Sequence, residues 1–195
     1  MPLLNTDSMR VILASKSPRR TELLKKIISH FEVEVSNINE NLNSELSPHE
    51  LTIKLSQLKA QNISQHINEG LIIGADSIVV LNDTILGKPK NFVEAVEMLN
   101  KLSGKTHQVI TGFSVLKKAE QQLVSDYAKT DVKFRELTSQ EIQQYIKEKK
   151  PFDKAGSYGI QDEAGLFVEK IDGCYFNVMG LPITKLYLVL KDMIE

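Results

Sequence analysis

Four short segments carry residue types that could handle a charged, oxygen-rich ligand. The first is Ala14-Ser15-Lys16-Ser17-Pro18-Arg19-Arg20, where three cations and two hydroxyls crowd the point at which an apolar run gives way to a helix signal. Ser17 followed by Pro18 has the form of an N-cap and first helical residue. A helix N-terminus presents unpaired backbone N–H groups and the positive end of the dipole, so phosphate is its natural guest. A capped surface helix with solvated arginines is the plainer reading, and the pattern leaves both open. The glycines of a Walker loop are missing. The second segment is Gly74-Ala75-Asp76-Ser77, inside an otherwise apolar run. A carboxylate there is costly to bury without a partner, which points to a metal ligand or general base, or else to a half-exposed aspartate at a bend.

The third is Gly87-Lys88-Pro89, a stiffened loop that would fix the direction of a lysine suited to phosphate; alone it reads as an ordinary turn. The fourth runs Asp153-Lys154-Ala155-Gly156-Ser157-Tyr158-Gly159-Ile160-Gln161. A plain connection seldom mixes small residues, an acid, a base and an amide, and Gln161 can both donate to and accept from a base edge. A structural glycine turn is the alternative. By themselves Glu40 and Lys59 read as solvated charges, and His107 as a packed or capping histidine. No Ser/His/Asp or Cys/His nucleophile set stands out.

Bulk properties exclude several classes of function. A net charge of −1 provides no general basic field for nucleic acid or an anionic membrane, so a polyanion must find a local cluster of cations. Tryptophan is absent and the other aromatics are scattered, which leaves no stacking ladder for single strands. The single cysteine, Cys174, rules out an internal disulfide and a cysteine-based zinc site. No signal peptide or membrane span is recognisable, so the expected compartment is the cytosol. Residues 1–8 read as a loose extension, and the length of 9–195 suits one domain or two tightly joined lobes.

The elements that must position these groups alternate between strand and helix patterns, which predicts an α/β protein. Strands are predicted over 10–14, 31–35, 71–80 with an interruption at 74–77, 84–86, 106–116, 123–134 and 166–171. Helices are predicted over 17–28, with Leu23, Leu24, Ile27 and Ile28 inward; from a capping box at Ser47 to Gly70, with Leu51, Leu55 and Leu58 inward; and over 92–102. Two more follow a second capping box at Thr138, with Ile142, Tyr145 and Ile146 inward, and Pro182, with Ile183, Leu186, Tyr187 and Leu190 inward.

Taken together, the four segments, with Leu102-Ser103-Gly104-Lys105-Thr106-His107-Gln108-Val109, Thr130-Asp131-Val132-Lys133-Phe134 and Gly180-Leu181-Pro182, resemble the ordered motifs of the Maf family from about residue 10 to the C-terminus. The resemblance implies a bent mixed sheet with flanking helices and two lobes around a central cleft, as in inosine triphosphatases. It implies hydrolysis of a nucleoside triphosphate to monophosphate and pyrophosphate with a divalent cation, Mg²⁺ or Mn²⁺, and a link to septum formation and to clearing unwanted nucleotides. Ser17-Pro18-Arg19-Arg20, Ala75-Asp76-Ser77 and Ile160-Gln161 look like the branch that prefers dTTP and UTP.

Carried over by the same resemblance, Asp76 is the acid, Glu40 the cleft glutamate and second metal ligand, and Lys59 and Lys88 the phosphate lysines. By that resemblance Arg19, Ser77 and Gln161 select the base, while Ser15, Lys16, Ser17 and Arg20 are substrate-binding candidates from the phosphate reading of the first segment. Two departures stand out: Asn37-Ile38-Asn39-Glu40 is less acidic than the usual linker, and Ser77 replaces a threonine. A homodimer is the family-level expectation, with neither nucleic acid nor membrane as a partner. Two rival readings are a nucleotide-sensing regulator of division with little catalysis and a nucleic-acid binder using Arg19 and Arg20.

Overall fold

The computed structural model describes residues 4, 6, 9–39 and 46–194. The protein is a mixed α/β fold whose strands form a seven-stranded sheet in the order β2-β1-β3-β5-β6-β7, with β4 paired to β3. These strands are β1 Val11–Ala14, β2 Glu32–Val33, β3 Leu71–Leu81, β4 Thr84–Leu86, β5 Thr106–Lys117, β6 Gln122–Phe134 and β7 Val168–Asp172. The helices are α1 Pro18–Leu24, α2 Pro48–Ser64, α3 Phe92–Leu102, α4 Ser139–Lys149, α5 Tyr175–Met179 and α6 Ile183–Ile194. The chain divides into two compact units, one comprising Met1–Asp76, Thr111–Ala128 and Gly180–Glu195, the other Ser77–Ile110 and Lys129–Met179.

In the first unit β1 runs parallel to both β2 and β3, in a register that sets Ala14 opposite Gly74. Both neighbours of β1 are parallel and all four of its residues are buried, the continuous apolar signature of such a strand. The second strand is shorter than the expected 31–35, and its two residues are exposed, Val33 at 48 %, where it stands at the end of the strand order. The capping box at Ser47 and Glu50 forms as predicted. α2 then ends at Ser64, short of Gly70.

Its inner face also differs from expectation: Thr52, Leu55, Ser56, Lys59, Ala60 and Ile63 are buried, whereas Leu51 and Leu58 are half-buried. The reason is close backbone approach. A Cβ on Gly74 would lie 2.1 Å from the carbonyl oxygen of Ser56, and one on Gly112 would lie 2.5 Å from the carbonyl carbon of Thr52. The helix is therefore seated against glycines on β3 and β5, and only small or flexible side chains fit at the seam. The hydroxyls of Ser56 and Ser114 close that seam at 2.6 Å. Gly74 does not interrupt β3, which is continuous over eleven residues. Ile12, Ala14, Ala60, Ile63, Ile67, Ile72 and Leu116 form one apolar cluster. Leu23, Leu24, Ile27 and Ile28 are buried as expected, although α1 itself stops at Leu24. In α6 the buried residues are Leu186, Leu190 and Met193, with Ile183 and Tyr187 half-buried. Leu4 bridges to Ile28 in parallel fashion, and Thr6 is buried.

In the second unit, Asn82 and Asp83 take positive φ values of 48° and 60° and turn β3 into β4, as a two-residue hairpin requires. The Asn91 side chain caps α3, and a capping box at Thr138 and Glu141 opens α4. β7 begins two residues later than predicted, after a 3₁₀ turn over Glu163–Phe167, and α5 is an element the sequence pattern did not show. The core gathers Leu99, Leu102, Phe134, Ile142, Tyr145, Ile146, Tyr158 and Phe167, among others.

Candidate active site

Two regular elements and one loop in the first unit bring candidate residues together. Because Ala14 is in register with Gly74, the chain leaving β1 emerges beside Ala75 and Asp76 on β3. Ser15 is buried; its hydroxyl accepts from the Ser17 amide at 3.2 Å and from Arg20 Nη1 at 3.3 Å. Arg20 also donates from Nη1 to the Ala75 carbonyl at 2.9 Å and from Nε to the Gly180 carbonyl at 2.8 Å. Its guanidinium thus ties the loop to β3 and to the segment before α6. Lys16 is exposed, while Ser17 and Arg19 are half-buried. The Ser17 side chain makes no cap bond, so the N-cap signal read from its residue type marks the helix start without supplying that bond.

Asp76 and Lys59 form a buried ion pair, Nζ to Oδ1, at 2.7 Å, with the two residues only 8 % and 7 % exposed. Lys59 lies on α2 one turn beyond Ser56, the residue seated on Gly74, so the helix that packs on β3 carries the lysine to the aspartate. Read from its residue type alone, Lys59 is a solvated surface charge; the structure corrects that, because the face of α2 that carries it is buried and its ammonium meets the Asp76 carboxylate as a counter-charge. Each charge is retained out of water because the other is there.

In the second unit Ser77, next along β3, is half-buried, and Lys88 and Gln161 are exposed. The loop bearing Lys88 is joined to the 153–161 segment by a hydrogen bond from the Gly156 amide to the Gly87 carbonyl, at 3.0 Å. Gly156 has φ +66°, and a Cβ there would meet Val79 at 2.9 Å, so only glycine satisfies both the backbone and the contact. His107 is packed, as expected from its sequence setting: Nε2 lies 2.8 Å from the Tyr158 hydroxyl, and the ring meets Phe134 edge-on. Burial pushes its pKa down to about 4. Glu40 lies outside the described residues. Among the described residues no group of three or more His, Cys, Asp or Glu is placed to hold a metal ion, and no helix is long and apolar enough to cross a membrane.

Sheet order, a charged pair enclosed between helix and strand, and a basic loop leading from the neighbouring strand define an α/β protein with a desolvated polar centre. The model of the Maf-like protein family matches residues 10–193, and the chain belongs to that family. It is 48 % identical over 184 residues to a dTTP/UTP pyrophosphatase of Carboxydothermus hydrogenoformans, covering 94 % of this chain and 98 % of the relative. It is 50 % identical over 184 residues to a dTTP/UTP pyrophosphatase of Alkaliphilus oremlandii, covering 94 % and 95 %. Among solved structures it resembles a HAM1 protein from Coxiella burnetii, with a TM-score of 0.56 at 12 % identity over 94 % of this chain and 99 % of the other, a likeness of fold.

Proposed function

We propose that this chain is a nucleoside triphosphate pyrophosphatase that hydrolyses dTTP and UTP at the α–β phosphoanhydride, releasing the monophosphate and pyrophosphate. The observation that supports this reading is the Lys59–Asp76 pair, held nearly dry beside the Ser15 loop in a chain that matches 98 % of a dTTP/UTP pyrophosphatase relative. A carboxylate fixed on a central strand is suited to orient a water and accept its proton. As that proton leaves, the water oxygen bonds to the α-phosphorus and the bond to the bridging oxygen breaks, so that pyrophosphate carries away the electron pair. Lys59 keeps the carboxylate aimed in the free protein. With Lys16, Arg19, Arg20 and Lys88 it offsets the charge that grows on the leaving group. Ser77 and Gln161 read the base, Gln161 offering a donor and an acceptor together.

The residues fit a hard divalent cation, Mg²⁺ or Mn²⁺. Asp76 has one oxygen on Lys59 and a second to offer, Glu40 joins it by resemblance, and substrate phosphates complete such a set in the ordinary way. When bound, the cation supplies Lewis-acid neutralisation of phosphate charge. The cytosol is the proposed compartment, in keeping with a single free cysteine.

Asp76→Asn is expected to lower pyrophosphate release from dTTP by at least ~10²-fold, the usual scale for a lost general base. Turnover equal to that of the unaltered protein, in the presence of Mg²⁺ or Mn²⁺, would remove Asp76 from the chemistry.

A further inference from the structure

Gln161 stands on a β-turn of defined construction. The Asp162 amide donates to the Gly159 carbonyl at 3.1 Å, which puts Ile160 and Gln161 at the two central positions. Ile160 points into the core of the second unit and Gln161 is exposed. One hydroxyl grips both ends of this turn. Tyr145 Oη accepts from the Gly159 amide at 3.2 Å and donates to Asp162 Oδ1 at 3.1 Å. Asp162 in turn accepts from the Ala164 amide through the same oxygen, at 3.0 Å, and starts the following 3₁₀ turn. Just before the turn, Tyr158 is held by His107.

Tyr145 itself is rigidly placed. It is buried on α4, beside Phe167, with ring centroids 5.2 Å apart. Burial, followed by the charge of Asp162, pushes its pKa above the ordinary phenol value, so the hydroxyl proton needed for the bond to Asp162 is retained. A tyrosine serving only to fill the core would have no use for a hydroxyl that bridges two points three residues apart. Phenylalanine would fill the same volume.

We infer that Tyr145 is a positioning residue for substrate selection: its hydroxyl clamps the Gly159–Asp162 turn and so fixes the direction in which Gln161 presents its amide to the pyrimidine base. This rests on the reading of Gln161 as the base selector. The clamp acts on recognition and leaves the reacting atoms untouched, so its loss blurs the choice between bases and spares the chemical step.

The test compares kcat and KM for dTTP and dCTP, which differ at the pyrimidine edge, in the unaltered protein and in Tyr145→Phe, Gln161→Ala and the double variant. Tyr145→Phe is expected to lower the dTTP-over-dCTP ratio of kcat/KM by about threefold to tenfold, the equivalent of one net hydrogen bond, through KM, with kcat for dTTP within about twofold. In the Gln161→Ala background the same substitution should change the ratio no further, as two residues acting through one contact require. A lowered ratio in Gln161→Ala with an unchanged ratio in Tyr145→Phe overturns the clamp and leaves the base-reading role standing. An unchanged ratio in Gln161→Ala overturns that role itself. Asp162→Ala, which removes the acceptor and keeps the phenol, should reproduce the loss of selectivity; it decides the matter if Tyr145→Phe does not fold.

Discussion

In the first unit Lys59 and Asp76 stand on a helix and a strand and are almost wholly out of water, whereas in the second Lys88 and Gln161 stand on loops and face solvent. The two sets are held by different physics. The buried pair is fixed by glycine seams that let α2 lie against β3 and β5, and each charge depends on the other for its place. The exposed pair is fixed from behind: the Gly87 loop by the Gly156 amide, the Gln161 turn by the Tyr145 hydroxyl. The carboxylate proposed to handle the water thus sits where a field is strong and geometry is stiff, and the lysine and amide proposed to meet the phosphates and the base sit where a ligand can reach them.

The sharpest way to break this contrast is to remove half of the buried pair. Lys59→Met should leave Asp76 without its counter-charge and destabilise the protein by about 3–5 kcal/mol, the usual range for a broken buried pair. Denaturant unfolding at neutral pH measures it. A double variant, Lys59→Met with Asp76→Leu, should recover much of that loss while remaining inactive. Equal stability in the single variant and the unaltered protein would show that the pair is solvated.

His107 sharpens the contrast from the other side, since it is a buried titratable group in the second unit that carries no charge. Its folded pKa of about 4 lies below the ordinary histidine value of 6.5, so the unfolded chain takes up the proton first. The stability tied to its neutral form is complete above about pH 6.5 and is lost as the pH falls toward 4, reaching about 3 kcal/mol in all. His107→Gln should flatten that slope in unfolding measurements between pH 7 and pH 4. A slope identical to that of the unaltered protein would assign the acid sensitivity elsewhere.

The smallest expected effects come from paired glycine substitutions. Gly74→Ala drives a methyl into the Ser56 carbonyl and should cost about 1–3 kcal/mol, since neither backbone can retreat. Gly87→Ala meets nothing within 4 Å and should stay within about 0.5 kcal/mol of the unaltered protein. Thermal unfolding of the two side by side tests whether the first unit is the one built on close backbone approach.

Local patterns in the sequence determined much of the frame. Capping boxes at Ser47 and Thr138 and the Asn82-Asp83 turn are short-range signals, and each formed as its residues required, while the apolar run of β3 formed without the interruption expected at 74–77. The ordered motifs likewise carried the family. Tertiary structure decided the inner face of α2 and the burial of Lys59. A lysine among leucines reads as a surface charge until Gly74 and Gly112, some 15 and 53 residues further along the chain, draw the helix down onto the sheet. It also decided the two hydrogen bonds of the Tyr145 hydroxyl, a residue that periodicity marked only as an inward side chain. Sequence periodicity reports which side of an element meets the core; which polar atoms find one another there depends on contacts between segments far apart in the chain.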